Sequence, residues 1–129
     1  MEREVILTRE PIDEVALSRA RRCSTTAGAV ITFLGVVRDL EAGGRIQGLD
    51  YTAHEAMARH QFGLLMEALA ARWPVESVRL VHRLGPVLAG EASLWVEVVA
   101  PHRGEAFAAC QWLIDEMKRV VPIWKRTIS

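Results

Sequence analysis

The sequence predicts an α/β two-layer sandwich, in which helices pack on one face of a mixed or antiparallel sheet. Short β-branched runs alternate with longer stretches of helical periodicity, in the approximate order β-α-β-β-α-β-β-α. Half of the 129 residues are hydrophobic and a quarter are charged, which is the balance of a folded globular chain. No repeat, linker or low-complexity tract divides the chain, so we expect residues 1–129 to form a single domain.

The first half of the chain supplies one helix and three strands. We expect a strand over residues 4–8 and a helix over residues 11–22, with Pro11 in its first turn. Residues 29–37 (AVITFLGVV) are almost continuously apolar, which is typical of a strand buried on both faces. A glycine turn then predicts a returning strand over residues 46–53.

The middle of the chain supplies a second helix and two more strands. Residues 55–73 have helical periodicity, and Pro74 ends the helix. Residues 78–84 and 93–100 read as strands. The connection over residues 85–90 is rich in glycine and proline, which predicts a turn.

The last quarter of the chain carries the strongest helical pattern. We expect Gly104 as its N-cap and Pro122 as its stop, followed by an apolar anchor at residues 123–124. Lys118 lies at the border of the apolar stripe, and Trp112 falls on the opposite side, which we expect to face solvent. The predicted buried face consists of Ala106, Phe107, Cys110, Leu113, Ile114, Met117 and Val121.

Charge and composition exclude several classes of protein. Sixteen basic residues balance sixteen acidic ones, so no global field attracts nucleic acid or a membrane. The chain has no apolar run long enough to span a membrane and no apolar segment of a signal peptide at its N-terminus, so we expect a cytoplasmic protein. Cys23, Cys110 and the four histidines lack metal-ligand spacing, and Cys110 falls on the buried stripe.

Basic residues flank the closing helix at both ends. His102 and Arg103 precede its first turn, where free amide groups favour an anion; alternatively, they only end a strand. Lys118 has Arg119 and Lys125 nearby in sequence, and neighbouring cations favour the neutral amine that covalent or acid–base work requires. The alternative is that Lys118 complements the negative end of the helix dipole.

Two further basic positions follow predicted strands. Arg38 comes directly after the most apolar strand, where a rigid element would hold it for ligand binding; a solvated arginine is the alternative. His82 and Arg83 repeat this pattern, but their place within a strand favours a structural role.

Helix length separates the two basic clusters. His102 and Lys118 are sixteen residues apart, which corresponds to about 24 Å along a helix. A small ligand cannot contact both in one chain. If both serve one site, two subunits must share that site.

Four segments together resemble one known family: residues 28–38 (GAVITFLGVVR), 81–90 (VHRLGPVLAG), 100–110 (APHRGEAFAAC) and 118–126 (KRVVPIWKR). Their order and spacing are similar to those of the large (catalytic) subunit of molybdopterin synthase, the MoaE family. The motif HR-x-x-AF, followed by a helix and then by K-x-x-x-P-x-W-K-[KR], makes the resemblance specific.

The resemblance implies an α/β hammerhead-like fold with an added β subdomain, and a sulfurtransferase activity. The family converts precursor Z, a cyclic pyranopterin monophosphate, into the dithiolene molybdopterin of the molybdenum cofactor. Sulfur comes from the C-terminal Gly-Gly thiocarboxylate of a small ubiquitin-like (MoaD-like) subunit, so the reaction needs no metal or organic cofactor. The large subunit is expected to form a homodimer and, with two small subunits, a heterotetramer.

The resemblance also implies the site residues. Lys118 and Lys125 correspond to the catalytic lysines, with Lys118 nearer the thiocarboxylate, and His102-Arg103 corresponds to the pair that reaches across the dimer. The implied substrate-binding positions are Val36, Val37, Arg38, His102, Arg103, Lys118, Lys125, Arg126 and Thr127.

The chain departs from its relatives at two of these positions. Relatives usually have Glu at the position of Thr127 and often Lys at the position of Val36, so contacts from those side chains are not expected here. A different class of function also remains open: a non-catalytic α/β module that retains only the binding of a ubiquitin-like partner.

Overall fold

The computed structural model describes residues 1–41 and 43–129, and this part of the chain contains two main sheets, one short hairpin and three helices. The helices are α1 (Glu14–Arg19), α2 (Glu55–Arg72) and α3 (Arg103–Val120). The strands are β1 (Glu2–Thr8), β2 (Ala29–Val36), β3 (Leu40–Glu41), β4 (Gly44–Arg45), β5 (Gly48–Ala53), β6 (Ser77–Arg83), β7 (Gly85–Leu88), β8 (Ala92–Ala100) and β9 (Ile123–Ile128).

The larger sheet is mixed, with the strand order β1-β6-β8-β2. β1 runs parallel to β6, whereas β8 is antiparallel to both β6 and β2. Alternate residues of β6 and β8 point toward α2 and α3 and form the core with them, among them Val78, Leu80, Val96 and Val98. The α/β sandwich with a mixed sheet is thus confirmed.

Helix α1 begins just after Asp13 rather than with a first turn at Pro11. The Asp13 side chain accepts a hydrogen bond from the Ala16 amide at 3.0 Å and so caps the helix. Arg79, whose side chain points away from α2 and α3, donates to the Leu17 carbonyl at 2.7 Å. Helix α1 therefore lies on the opposite face of the sheet, and α2 and α3 are the helices that share one face.

The smaller sheet has the order β7-β5-β9, and two of its strands lie where no strand was predicted. The predicted turn at residues 85–90 contains β7, which tolerates Pro86 because it is an edge strand. The predicted anchor at residues 123–124 is the start of β9. Gly48 lets β5 approach β7 closely, since a Cβ atom there would lie 2.4 Å from the Val87 carbonyl oxygen.

Strand β2 is not buried on both faces, and that prediction was wrong. β2 pairs with β8 alone and forms an edge of the larger sheet. Its apolar side chains remain partly in solvent; Val30, for example, is 38% exposed. An apolar run predicts burial, but it does not show whether the chain itself or another molecule provides the cover. The pattern therefore could not distinguish a central strand from an edge strand.

Helix α3 ends before Pro122 as predicted, but it begins two residues earlier than expected, and two of its aromatic residues are exposed or buried differently from the prediction. His102, not Gly104, is the N-cap, because the chain is still extended at His102 and becomes helical at Arg103. Phe107, predicted on the buried face, is 58% exposed. Trp112, predicted to face solvent, is partly buried because its ring packs edge-to-face on Trp73 at 5.8 Å between centroids.

Other predictions for the core are confirmed. Helix α2 ends at Arg72, and Pro74 follows its C-cap, as expected. Cys110 is buried in the core with no disulfide partner, and burial raises the pKa of its thiol to about 11. The glycine turn predicted before β5, at Gly43 and Gly44, lies in the β3–β4 hairpin, where Gly44 has a φ of 117°.

A buried charge cluster holds α1 and the segment after it against the sheet. Glu97 on β8 is 1% exposed and accepts hydrogen bonds from Arg79 Nε at 2.8 Å and Arg21 Nε at 2.6 Å. Burial alone would raise the pKa of Glu97, but the hydrogen bonds from the two arginines outweigh it and hold the pKa below its usual value. The Arg79 guanidinium also stacks 5.0 Å from the centre of the Trp95 ring.

Replacing Glu97 tests the contribution of this cluster. We expect Glu97→Gln to lower the free energy of unfolding by about 3 kcal/mol, because it leaves partly buried arginine charges unpaired. Urea denaturation at pH 7 measures the change. Glu116→Gln, which removes the surface pair with Arg119, is the matched control and should cost less than about 1 kcal/mol.

The same pair of variants gives a pH test. Because the folded-state pKa of Glu97 is depressed, its stabilisation is present above the unfolded-state pKa of about 4.3 and is lost as the pH falls through the folded-state pKa. The difference in unfolding free energy between the parent and Glu97→Gln should therefore shrink below about pH 4. Equal stability of the two proteins at pH 7 would contradict this account.

Candidate functional site

A groove of about 580 Å³ lies where the two sheets meet the C-terminal end of α3. Its walls come from the end of β2 and the residues after it, from β5 and β6, from the last turn of α3 and from β9. A second cavity, of about 610 Å³, lies near α1, but Arg79 and Glu97 in its lining neutralise each other. The groove, in contrast, contains five of the predicted site residues: Val36, Val37, Arg38, Lys118 and Lys125.

Arg38 is held at the groove by the backbone of the preceding residue. Val37 donates its amide to the Glu91 carbonyl at 2.9 Å and accepts from the Gly90 amide at 2.8 Å. The Val37 side chain is buried with Leu49, so the chain is fixed immediately before the arginine. The guanidinium of Arg38 is exposed at the groove, where its five N–H donors can bind phosphate or carboxylate oxygens.

Lys118 enters the groove from the last turn of α3. Its neighbour Met117 is buried in the core, which fixes the helix at this point, and both residues line the groove. The next basic residue, Arg119, turns away and pairs with Glu116 at 2.7 Å. Of the two adjacent basic residues, Lys118 is therefore the one that lines the groove.

Strand β9 carries Lys125 to the opposite wall of the groove. Lys125 lies directly across from Tyr51 of β5, and both line the groove. Arg126 lies across from Asp50 and donates to its carboxylate at 3.1 Å, because successive side chains of a strand point to opposite faces. Thr127 lies two residues beyond Lys125, on the same face of β9, but outside the groove lining.

His102 and Arg103 do not line the groove of their own chain. They lie at the N-terminal end of α3, whose 18 residues span about 27 Å. The His102 amide donates to the Glu105 carboxylate at 2.8 Å, so an acidic side chain already occupies part of the predicted anion position. The His102 ring is exposed, and the Arg103 side chain is exposed beside it.

Tyr51 and His82 belong to the groove, although no site role was predicted for them. The His82 ring is 5% exposed and packs edge-to-face on Tyr51, with 5.1 Å between ring centres. Burial lowers the pKa of His82 below its usual value, partly offset by a hydrogen bond to the Arg83 carbonyl. The only sequence signal was a histidine near the end of a strand, and that signal is equally typical of a structural residue.

Arg83 has the structural role that its strand position suggested. Its guanidinium donates to the Pro86 carbonyl at 3.3 Å and lies 3.6 Å from the Glu91 carboxylate, so it braces the connection around β7.

Within residues 1–41 and 43–129, no three His, Cys, Asp or Glu side chains gather in a way that could hold a metal ion. None of the helices described is both long enough and apolar enough to cross a membrane.

Comparison with known proteins gives a consistent result. The family described as MoaE protein matches residues 7–120 of the chain. The molybdopterin synthase catalytic subunit of Pyrococcus abyssi is 35% identical over 127 residues, which cover 98% of this chain and 86% of the relative. The Vibrio cholerae protein of the same name is 33% identical over 129 residues, covering 100% of this chain and 86% of the relative.

Solved structures share the fold. The crystal structure of molybdopterin synthase from Staphylococcus aureus superposes with a TM-score of 0.85 at 30% identity, covering 97% of this chain and 89% of the other. A complex of subunits 1 and 2 of molybdopterin-converting factor from Helicobacter pylori has a chain that superposes with a TM-score of 0.77 at 27% identity, covering 97% and 83%.

Proposed function

The chain belongs to the MoaE family, and we propose that its groove transfers sulfur from the C-terminal thiocarboxylate of a small ubiquitin-like subunit to precursor Z. The protein is then the catalytic subunit of a molybdopterin synthase, a sulfurtransferase whose product is the dithiolene of molybdopterin. The observation that carries this proposal is the meeting of Arg38, Lys118 and Lys125 in one groove, from three separate elements.

The charge of the groove fits the charge of both reactants. A thiocarboxylate and a phosphate are anions, and Arg38, Lys118 and Lys125 present cationic groups to them. Lysine ammonium groups fixed at the groove can also stabilise the oxyanion that forms when a carbonyl carbon is attacked. We assign this role to Lys118 and Lys125, and we assign binding of the substrate phosphate to Arg38, with His102 and Arg103 of a second subunit.

A small subunit is the expected sulfur donor. The Helicobacter pylori relative was solved as a complex of two different subunits, which supports a comparable partner for this chain. We infer that the partner's extended C-terminal tail enters the groove with its thiocarboxylate near Lys118. We further infer that residues 1–129 act as one domain, since residues from Phe33 to Lys125 contribute to a single groove. We also propose that the protein acts in the cytoplasm.

Strand β2 supports a homodimer. An edge strand with exposed apolar side chains such as Val30 and Leu34 needs cover, because its free backbone groups would otherwise pair with other chains. A second copy of the chain is a suitable cover, since a two-fold contact uses the same surface on both subunits. With one small subunit on each copy, the assembly is a heterotetramer.

Antiparallel packing of two β2 strands would complete the active site. Ala29, at the start of β2, lies opposite Ala100, just before His102; the other end of β2 leads to Arg38. Across a two-fold axis, the start of one β2 faces the end of the other. The partner's His102 and the partner's Arg103 would therefore approach the groove that contains Arg38, which accounts for their absence from the groove of their own chain.

Reconstitution tests the proposed activity. With a thiocarboxylated small subunit and precursor Z, the parent should form the dithiolene, and Lys118→Ala should reduce turnover at least a hundredfold, the order expected from loss of a catalytic charge. Binding of the small subunit, measured by calorimetry, should persist. Arg119→Ala is the matched control, because Arg119 pairs with Glu116 outside the groove, and it should retain turnover.

Two outcomes would contradict this assignment. Full turnover by Lys118→Ala would remove Lys118 from the chemistry. Binding of the small subunit by the parent without any dithiolene formation would favour the non-catalytic binding module.

Sedimentation velocity tests the dimer surface. We expect Val30→Lys to sediment as a monomer at concentrations where the parent is a dimer, because a charge on an edge strand opposes strand-to-strand contact. Leu64→Lys is the control: Leu64 is 47% exposed on α2, away from β2, and this variant should remain dimeric. A dimeric Val30→Lys protein, or a fully active monomeric parent, would refute the proposed contact.

A further inference from the structure

We propose that His82 is a further catalytic residue, whose Nε2 atom accepts the proton of the water that releases the partner's tail after sulfur delivery. This inference rests on the proposed function, because it concerns a later step at the same groove. It adds a neutral base to a site whose other assigned residues are cationic.

The hydrogen bond of His82 determines which of its ring nitrogens is free. Nδ1 lies 2.7 Å from the Arg83 carbonyl oxygen. A carbonyl can only accept, so Nδ1 carries the hydrogen in the neutral ring and Nε2 keeps its lone pair. Nε2 has no hydrogen-bond partner among the residues that the structure describes, and the His82 ring forms part of the groove wall.

The surroundings of His82 keep the ring neutral and in place. Leu7 and Leu94 lie beside His82 on the two neighbouring strands. The Tyr51 ring packs edge-to-face with the His82 ring, at an angle of 76° between the ring planes. Burial lowers the pKa of His82, so the ring is unprotonated at neutral pH and ready to accept a proton. The charged groups that share the groove with it are Arg38, Lys118 and Lys125, which are cations, and the carboxylate Glu41.

Tyr51 is a neighbour of both His82 and Lys125. Tyr51 lies directly across from Lys125 on β9, and its ring packs against the His82 ring. Lys125 and His82 are therefore both neighbours of Tyr51, and all three residues line the groove. A carbonyl carbon whose oxygen is held by Lys125 would lie in the groove that His82 also lines, where a water beside His82 Nε2 could attack it.

The chemistry of the reaction requires such a base. When the thiocarboxylate sulfur bonds to a carbon of the pterin side chain, a C–O bond of that carbon breaks and the oxygen leaves with its electron pair. The tail then remains attached through the C–S bond to its terminal carbonyl carbon. Water must then attack that carbon: the new C–O bond forms, the C–S bond breaks, and its electron pair stays on the sulfur that the pterin keeps. The proton lost by the water passes to His82 Nε2 and then to solvent. Arginine and lysine cations cannot accept it.

A single-turnover experiment with the whole complex separates the two steps. Mass spectrometry follows first the appearance of the tail–sulfur–pterin adduct and then its hydrolysis. We expect His82→Asn to form the adduct at the parental rate, because Asn can still donate to the Arg83 carbonyl, and to hydrolyse it roughly a hundredfold to ten-thousandfold more slowly. His82→Gln is the second variant, and thermal unfolding checks that each protein is folded.

The pH profile of adduct hydrolysis, in the parent and in folded His82→Asn, gives a second test. Hydrolysis of the adduct should slow only when the pH falls below the usual histidine pKa of about 6.5, because His82 must be neutral and burial lowers its pKa. In a folded His82→Asn protein this loss of rate at low pH should disappear. A loss of rate at low pH that persists unchanged in folded His82→Asn would overturn the proposal.

Other results separate failure of this inference from failure of the proposed function. If the parent forms no adduct and no dithiolene, the proposed function itself fails. If the parent forms and hydrolyses the adduct, and folded His82→Asn does so at the same rate, only the role of His82 is refuted. Slow hydrolysis in Glu41→Gln together with parental hydrolysis in His82→Asn would assign the proton to Glu41 and also overturn the proposal.

Discussion

The length of α3 is the constraint on which the candidate site depends. Its 18 residues form a rod of about 27 Å, and Ala106, Cys110, Leu113 and Met117 anchor it to the sheet along its whole length. Lys118 lines the groove at one end, whereas His102 and Arg103 are exposed at the other. A rigid, buried helix cannot bend to bring its ends together, so a site that uses both ends requires a second chain.

Within one chain, the groove depends on pairing between distant segments. Lys125 faces the groove because β9 pairs with β5 in a register that puts Lys125 opposite Tyr51, and a shift by one residue would turn Arg126 inward instead. On its other edge β5 pairs with β7, where Tyr51 lies opposite Gly85, and the Tyr51 ring packs against His82. The groove is thus lined by the cationic side chains of Arg38, Lys118 and Lys125 and by one buried imidazole, which are the groups that the proposed sulfur transfer uses.

Hydrophobic periodicity within single segments predicted several elements correctly. Helices α2 and α3 and strands β6 and β8 lie close to the expected positions. Arg38, Lys118 and Lys125 were also identified as candidate site residues, and the structure brings them to one groove. Strand β9 was missed because its pairing with β5, at least seventy residues earlier, leaves no local signal. The exposure of β2 depends on which other strands or molecules cover it, so its local sequence could not predict it. The position of His82 in the groove depends on its contact with Tyr51, a residue distant in sequence, and was not predictable for the same reason.

Complementation between two inactive variants tests the shared site most directly. One chain carries Lys118→Ala and the other carries His102→Ala with Arg103→Ala; each dimer alone should be inactive. After subunit exchange, a mixed dimer has one site with both defects and one intact site, so the account predicts recovery of about a quarter of the parental activity at equal mixing. A mixture as inactive as its components, although exchange has occurred, would contradict the claim that two chains build each site.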